Sequence, residues 1–470
     1  MKSPLQASRL RIGLCLCAIS LLAGCAAPIE VRLDSAAPAQ WQQASAQKTN
    51  NSELAQWWRG WNDPALNALV DEALAQNLDV AQAVLRLRQQ RLLADTAGSA
   101  FLPVVGAGAR TLQDIAAVDT YFHASIDVSW DLGLFGDAEA ARRSGSASVL
   151  DAAAQLHAAR VALVADVVHR YLDIRLAQIQ RNLAKKQLQQ AQRQLQLLEI
   201  RRDQRLTDTQ TLEQQQLQLR TQEAQLALLN ESQKRAAHAL AALLGRDRPE
   251  LQWLQSKADA ALPTLQALEV LPADLLRKRP DIQSAEAAVE QAAAEVGVAR
   301  AALYPRLMLT GSLLYSFNIT RNHRSTSDSI PMLGPQIDIP LFDWSRRRAV
   351  ADGKELALQS SIKAYRQAVL IGIAEAEGSL AAVAAQQQRQ QSLLAAQQIH
   401  QSRDKAQAVR QQLGLSSDLA GAENARASLQ LQSEMATAKA AEALAYVALY
   451  KAVGAAPLDP VVTQTAEVKP

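Results

Sequence analysis

Two long stretches without proline constrain this chain more than any other feature. One runs from about Asp137 to Pro249, the other from Asp343 to Ala455. Proline would break an α-helix, and both stretches are rich in Ala, Leu and Gln, so each reads as helix over most of its length. The residues in front of them also repeat. Asp79 to Asp281 and Pro103 to Pro305 are both offset by 202 residues, Phe135 to Phe342 by 207, Asp208 to Asp418 by 210 and Gly245 to Gly454 by 209. The chain is a tandem duplication, and its fold must be built twice from one unit.

Inside the first stretch, Val161, Val164, Val168 and Tyr171 step by 3, 4 and 3. Leu172, Leu176, Ile179 and Leu183 continue the pattern, followed by Leu188, Ala191, Leu195 and Leu198. These are coiled-coil seams. The pattern pauses near Arg205-Leu206-Thr207-Asp208, then resumes at Leu212, Leu219 and Leu226, which predicts a hairpin of two antiparallel helices. The first helix, of about 65 residues, would be about 100 Å long. The second stretch breaks in the same way at Gly414-Leu415-Ser416-Ser417-Asp418. Each half also supplies two helices of about half that length, for example 62–98 and 208–245. Stacked end to end they match the long one, so the two halves can stand side by side as a cylinder wall.

Ahead of each hairpin lie two strand candidates. In Tyr121–Leu132, Phe122, Ala124, Ile126, Val128, Trp130 and Leu132 alternate with His123, Ser125, Asp127, Ser129 and Asp131. A period of two makes one face apolar and the other polar. The length suits a half-buried strand of a soluble sheet, and equally a tilted strand crossing a bilayer. Val104–Leu112 precedes it. Leu307, Leu309, Gly311, Leu313, Tyr315 and Phe317 alternate in the second half, and Gln336–Phe342 follows a polar loop containing Asn322, His323, Arg324 and Ser325. Four strands cannot close a membrane barrel, for which about eight is the minimum, and open edges are not tolerated in lipid. If the strands lie in a membrane, several chains share one barrel.

Near the N-terminus, Lys2, Arg9 and Arg11 precede a short apolar run closing on Leu22-Ala23-Gly24-Cys25. That is the pattern of a secretory signal. No apolar run after residue 25 is read as long enough for a transmembrane helix. No cysteine follows Cys25, so no disulfide or thiol chemistry is expected. Trp57, Trp58 and Trp61 cluster ahead of Asp63-Pro64, an N-cap with proline at the first helical position. A net charge of +3, spread along helices, gives nucleic-acid binding no support. The six histidines are scattered, with no HExxH, paired metal ligands or nucleophile elbow, so no enzyme is expected and no cofactor.

Several motifs, in this order, carry a resemblance. They are the lipobox-like Leu22-Ala23-Gly24-Cys25, Ser129-Trp130-Asp131-Leu132 before Phe135-Gly136, and Arg279-Pro280-Asp281-Ile282 with Ala285-Glu286. Gly297-Val298-Ala299-Arg300-Ala301-Ala302 before Tyr304-Pro305 follows, then Gly334-Pro335-Gln336 through Pro340-Leu341-Phe342-Asp343 with Arg347 or Arg348. From the lipobox to about Gly454 the chain resembles the outer-membrane factors of tripartite efflux pumps, the TolC- and OprM-type and NodT-like lipoprotein channels.

The resemblance implies a mainly α protein with membrane β, in which long antiparallel helical hairpins form a periplasmic α-barrel tunnel. Four strands per chain would enter a twelve-stranded β-barrel shared by a homotrimer. Residues 1–24 would be the signal peptide, 25–60 a tether lipidated at Cys25, and 456–470 a C-terminal tail. The first repeat would span 61–260, with strands about 104–112 and 121–132 and a hairpin about 137–245. The second would span 261–455, with strands about 306–317 and 335–342 and a hairpin about 343–454. Ala26 is not the Asp of an inner-membrane retention signal, so the anchor would sit in outer-membrane lipid.

Phe122, Ile126, Val128 and Trp130 would face lipid, and Asp127, Ser129, Asp131 and Asp338 the barrel lumen. The hairpin tips, at Gln204, Thr207 and Asp208 and at Gly414, Ser417 and Asp418, would meet a periplasmic adaptor and an inner-membrane pump. Gln204 stands where the family's turn glycine is expected, which implies a looser first turn. The family's constriction falls on Leu419, Glu423 and Arg426. The function implied is passive conduction of what the pump delivers. The competing reading is a periplasmic scaffold lipoprotein that bridges envelope layers through coiled coils.

Overall fold

A computed structural model describes residues 31, 33, 54–114, 119–255, 261–263, 273–319 and 323–458. The signal segment, Cys25, most of the tether and the end of the C-terminal tail lie outside the described residues. Contacts divide the described residues into two compact units, one built from 85–154 and 283–368, the other from 54–84, 155–282 and 369–458.

The first unit holds the sheet. Strands β1 (Val104–Asp114), β2 (Asp119–Asp131), β3 (Arg306–Asn318) and β4 (His323–Asp338) pair antiparallel in sequence order. β4 corrects the expected 335–342: it starts at His323, and Ile339–Phe342 lie beyond its end. Its polar start reads as a loop in the sequence, and Pro331 and Pro335, which remove ladder donors, are tolerated because β4 lies at an edge of the four-stranded sheet. No described residue of the four strands is buried. Beneath the sheet, Phe135 stacks on Tyr304 at 4.9 Å, and Gly297 sits so close to Ala140 that an added Cβ would come within 3.0 Å. Ion pairs Arg143–Glu290 (2.8 Å) and Lys354–Glu295 (2.7 Å) join the helices there.

The second unit is helical. Trp57, Trp58 and Trp61 are buried on a 3-10 turn, and Trp57 stacks on Tyr450 at 4.5 Å. Helix α1 (Pro64–Gln76) starts as expected, with Asp63 accepting from the Ala65 and Leu66 amides and Pro64 at the first position. The continuous helix expected over 62–98 is instead divided. Asn77 ends α1, and its side chain caps α2 (Leu78–Thr96) by accepting from the Asp79 and Val80 amides.

The long helices are α3 (Asp137–Asp203) and α6 (Trp344–Gln412), which pass through both units. They pair with α4 (Thr209–Leu243) and α7 (Asp418–Ala452), each 35 residues long and offset by 209. Another helix, α5 (Pro280–Ala301), follows a 3-10 turn over Ala273–Lys278, so the expected helix 272–302 also has a broken start. Most of the predicted seam is buried: Val161, Val164, Val168, Tyr171, Leu172, Leu183, Ala191, Leu198, Leu212 and Leu219 all lie below a tenth exposed.

By length and composition alone α6 would pass as a membrane-crossing helix, contrary to the sequence expectation. The physical content is different. Val369, Ala376 and Val383 recur at heptad spacing and are buried, while Glu375 on the same stretch pairs with Arg279 at 2.6 Å. These three positions form a packing seam, while Leu370 and Ile371 of the same stretch stay exposed.

Candidate functional site

The strand register sorts every side chain of the sheet onto one of two faces. Opposite β2, Phe122 meets Phe317, Ala124 meets Tyr315, Ile126 meets Leu313, Val128 meets Gly311 and Trp130 meets Leu309. Leu307 meets Ile337, Gly311 meets Leu333 and Leu313 meets Pro331 on β4, so the apolar face runs unbroken from β2 across β3 to β4. Ile126, Leu313, Leu333 and Ile337 on it are each at least 47% exposed.

The opposite face gathers Ser125, Asp127, Ser129 and Asp131 of β2, Arg306, Thr310 and Ser312 of β3 and Asp338 of β4. Asp127 accepts from the hydroxyls of Ser312 (2.6 Å) and Ser125 (2.7 Å), Asp131 pairs with Arg306, and Arg306 lies directly opposite Asp338. The four acidic and hydroxyl positions singled out in the sequence, 127, 129, 131 and 338, thus share one polar face.

The two hairpin ends close by the same backbone device. At the first, the amide of Arg205 bonds to the Arg202 carbonyl and that of Leu206 to the Arg201 carbonyl, both at 2.8 Å. Arg205 takes a φ of 59°. At the second, Gly414 bonds to the Gln411 carbonyl at 3.1 Å and Leu415 to the Arg410 carbonyl at 2.8 Å, with Gly414 at 72°. Both are Schellman closures, in which the residue just past the helix adopts left-handed backbone.

The position equivalent to Gly414 is therefore Arg205, not Gln204, and the turn is not looser. The N-caps confirm the offset of 209. Asp208 accepts from the Thr211 amide at 2.9 Å, and Ser417, not Asp418, accepts from the Ala420 amide at 3.3 Å. Hydrogen bonds from Thr211 hold the Asp208 carboxyl below its usual range. Asp418 instead accepts from Gln411 (2.7 Å) and Ser416 accepts from Gln407 (2.5 Å), which ties the second tip across its turn.

Leu419, Glu423 and Arg426 share one face of α7, as i, i+4 and i+7 spacing requires. Leu419 is half-buried; Glu423 and Arg426 are exposed. Arg426 donates to the Gln218 side-chain oxygen at 2.9 Å, on the other hairpin. Its partner within the chain is thus a neutral amide. Further along, Gln180 of α3 donates to Thr437 of α7 at 3.1 Å. Sequence reasoning missed both bonds, because each crosses between repeats and neither partner stands out by type. Among the described residues, no three His, Cys, Asp or Glu side chains cluster to hold a metal ion.

The family model described as outer membrane efflux protein matches residues 69–246 and 271–455, one segment for each half of the duplication. The pyoverdine export outer membrane protein OpmQ of Pseudomonas aeruginosa is 30% identical over 456 residues, covering 92% of this chain and 94% of that one. Among solved structures, the outer-membrane channel OprN superposes with a TM-score of 0.80 at 27% identity, over 92% of this chain and 99% of OprN. The open state of the Neisseria gonorrhoeae MtrE outer membrane channel gives 0.78 at 25%, over 91% and 97%.

Proposed function

Since the chain belongs to the outer membrane efflux protein family, whose members are outer-membrane components of efflux systems, we propose that three copies close one β-barrel and one helical tunnel. An adaptor and an inner-membrane pump would deliver small molecules to its hairpin end. Conduction needs no bond chemistry from this chain; the wall supplies a polar passage.

The observation that carries this reading is the sheet. Four strands, with a continuous apolar face and an opposite face that sets Asp127, Ser129, Asp131 and Asp338 among Met308, Leu314 and Met332, have two open edges and no buried side chain among the described residues. A single-layer sheet of this kind is stable neither in water nor alone in lipid. Other copies must supply the edges and lipid must cover the apolar face. Three copies give twelve strands and an open lumen, whereas two would give an eight-stranded barrel filled by side chains. A scaffold bridging envelope layers has no use for such a sheet. Cys25 would anchor the mature chain, so labelled palmitate should enter the wild type and not Cys25→Ser.

The constriction is proposed at Leu419, Glu423 and Arg426. Two carboxylates about 8 Å apart in water repel by only about 0.5 kcal/mol. A ring of Glu423 side chains would therefore neither force the end open nor lock it. Closure rests on Leu419 packing and on the exposed Arg426–Gln218 bond, a contact weak enough for an adaptor to displace. Leu419→Ser with Arg426→Ser should raise conductance in planar bilayers and admit large antibiotics to cells. Wild-type conductance in the double variant would place the constriction elsewhere.

A further inference from the structure

The start of the segment joining the two repeats, through Gln255, packs on the helices of the second unit, and long side chains hold its backbone there. Past the end of α4, Arg246 pairs with Glu72 (2.7 Å) and Glu250 (2.5 Å), and its guanidinium lies 5.9 Å from the Trp253 ring centre. The short helical turn Leu251–Leu254 then lies across α3 and α4. Gln178 of α3 donates to the Gln255 carbonyl at 3.1 Å and the Gln252 carbonyl at 3.4 Å. Gln233 of α4 donates to the Trp253 carbonyl at 2.6 Å and the Gln255 carbonyl at 3.3 Å. Arg181 of α3 donates to the Leu254 carbonyl at 3.3 Å and to the Gln233 side-chain oxygen. Gln178 and Gln233 are each 1% exposed. Further on, buried Leu262 accepts from Lys439 of α7 at 3.5 Å.

One backbone segment is thus tied to α3, α4 and α7. It does so at the level where Gln180 also bonds Thr437. The Arg426–Gln218 bond lies 11 residues further toward the hairpin end along α7, about 16 Å at the helical rise. The two levels differ in kind. At the strap, the buried side chains of Gln178 and Gln233 donate to main-chain carbonyls, that of buried Trp253 among them, and separating them would leave these amides unpaired away from water. The Arg426–Gln218 bond is itself exposed, and water replaces it once it breaks.

We propose that Leu251–Gln255, with Leu262 further along the chain, is a fixed strap and fulcrum for gate opening, with Gln178, Arg181 and Gln233 as its positioning residues. Helix segments on the hairpin side of the strap separate, while those at the strap keep their spacing. This inference rests on the channel reading above.

The chain has no cysteine beyond Cys25, so paired cysteines can be bridged with a short cleavable bis-maleimide. Bridging Gln180→Cys to Thr437→Cys should leave efflux within twofold of the unbridged protein. Bridging Gln218→Cys to Arg426→Cys should cut it at least tenfold, with recovery when the bridge is cleaved. Equal loss from both bridges overturns the fulcrum and leaves the gate standing. No loss from the second bridge overturns the gate and with it the strap's role. Independently, Gln178→Leu with Gln233→Leu should raise vancomycin entry several-fold at an unchanged amount of assembled protein. Unchanged entry in that variant also overturns the strap.

Discussion

The two halves place different chemistry at matching positions. Where each return helix ends, the first half uses an amide: Asn77 donates to the Leu243 carbonyl at 2.9 Å while capping α2. Arg279, 202 residues later, donates to the Ala452 carbonyl, which is Leu243 displaced by 209. Arg279 also bridges Asp281 at 2.8 Å and Glu375 at 2.6 Å, with its own side chain only 8% exposed. Higher on the hairpins, Arg181 bonds Gln233 in the first half, and at the same offset Gln390 bonds Glu442 in the second. The first pair reaches out to the joining segment; in the second, Gln387 donates across to Tyr446 at 2.9 Å instead. Duplication kept the positions and let the bonds diverge, so one half is held by a strap and the other by pairs between its own helices.

The largest expected effect lies where the contrast is charge against amide. Arg279→Ala removes hydrogen bonds to two carboxylates and a carbonyl, each charge-assisted, and should cost about 3 kcal/mol. Asn77→Ala loses an N-cap and one tie, about 1 kcal/mol. Comparing the heat resistance of the two purified variants in detergent measures this, and equal losses would erase the distinction between the halves.

A smaller effect is expected at the tips. Arg205 holds left-handed backbone that favours glycine, a conformation costing a side chain about 1 kcal/mol. Arg205→Gly should therefore relieve strain, offset in part by the added freedom of the unfolded chain. Gly414→Arg should lose up to about 1 kcal/mol, by strain alone, since an added Cβ there meets nothing within 4 Å. If Gly414→Arg were neutral, the two turns would be equivalent in spite of their residues.

The smallest is a pH dependence. Burial raises the carboxyl pKa of Glu442 above its ordinary 4.5, although Lys439 opposes this. A raised folded pKa means that stability is fully present below the unfolded value and declines as pH rises through the folded one. Glu442→Gln, which copies the first half's Gln233, should remove that decline. Thermal midpoints taken at pH 4, 6 and 8 should fall for the wild type above its titration and stay level for the variant. Parallel profiles would sink the assignment.

What the sequence made legible follows from periodicity. Heptad leucines located the coiled-coil seams and alternation located β2 and β3, because both patterns repeat many times and survive local exceptions. The faces of Asp127, Ser129, Asp131 and Asp338 followed from parity alone. Single-residue events were less legible. Asn77 interrupts a helix whose apolar spacing continues on both sides. Arg205 occupies the glycine position unmarked by type, so the offset of 210 taken from Asp208 and Asp418 misaligned the tips by one. β4 is longer than its sequence suggests because the polar residues around Asn322, His323, Arg324 and Ser325 read as a loop, although the strand begins at His323. The strap could not be read at all, since glutamine side chains meet main-chain carbonyls there and leave no pattern.

The exposed sheet has a consequence for how the chain reaches its destination. β1 and β4 each lie at an open edge of the sheet, and much of the apolar face between them, at Ile126, Leu313, Leu333 and Ile337, is exposed. Such edges are templates for indiscriminate pairing. The helical hairpins can form ahead of everything else, since their contacts are local and buried. The strands gain nothing by pairing early in water. In the shared barrel proposed above, biogenesis would be ordered by solvent: zipped hairpins first, then strands that settle only when lipid and neighbouring edges arrive together.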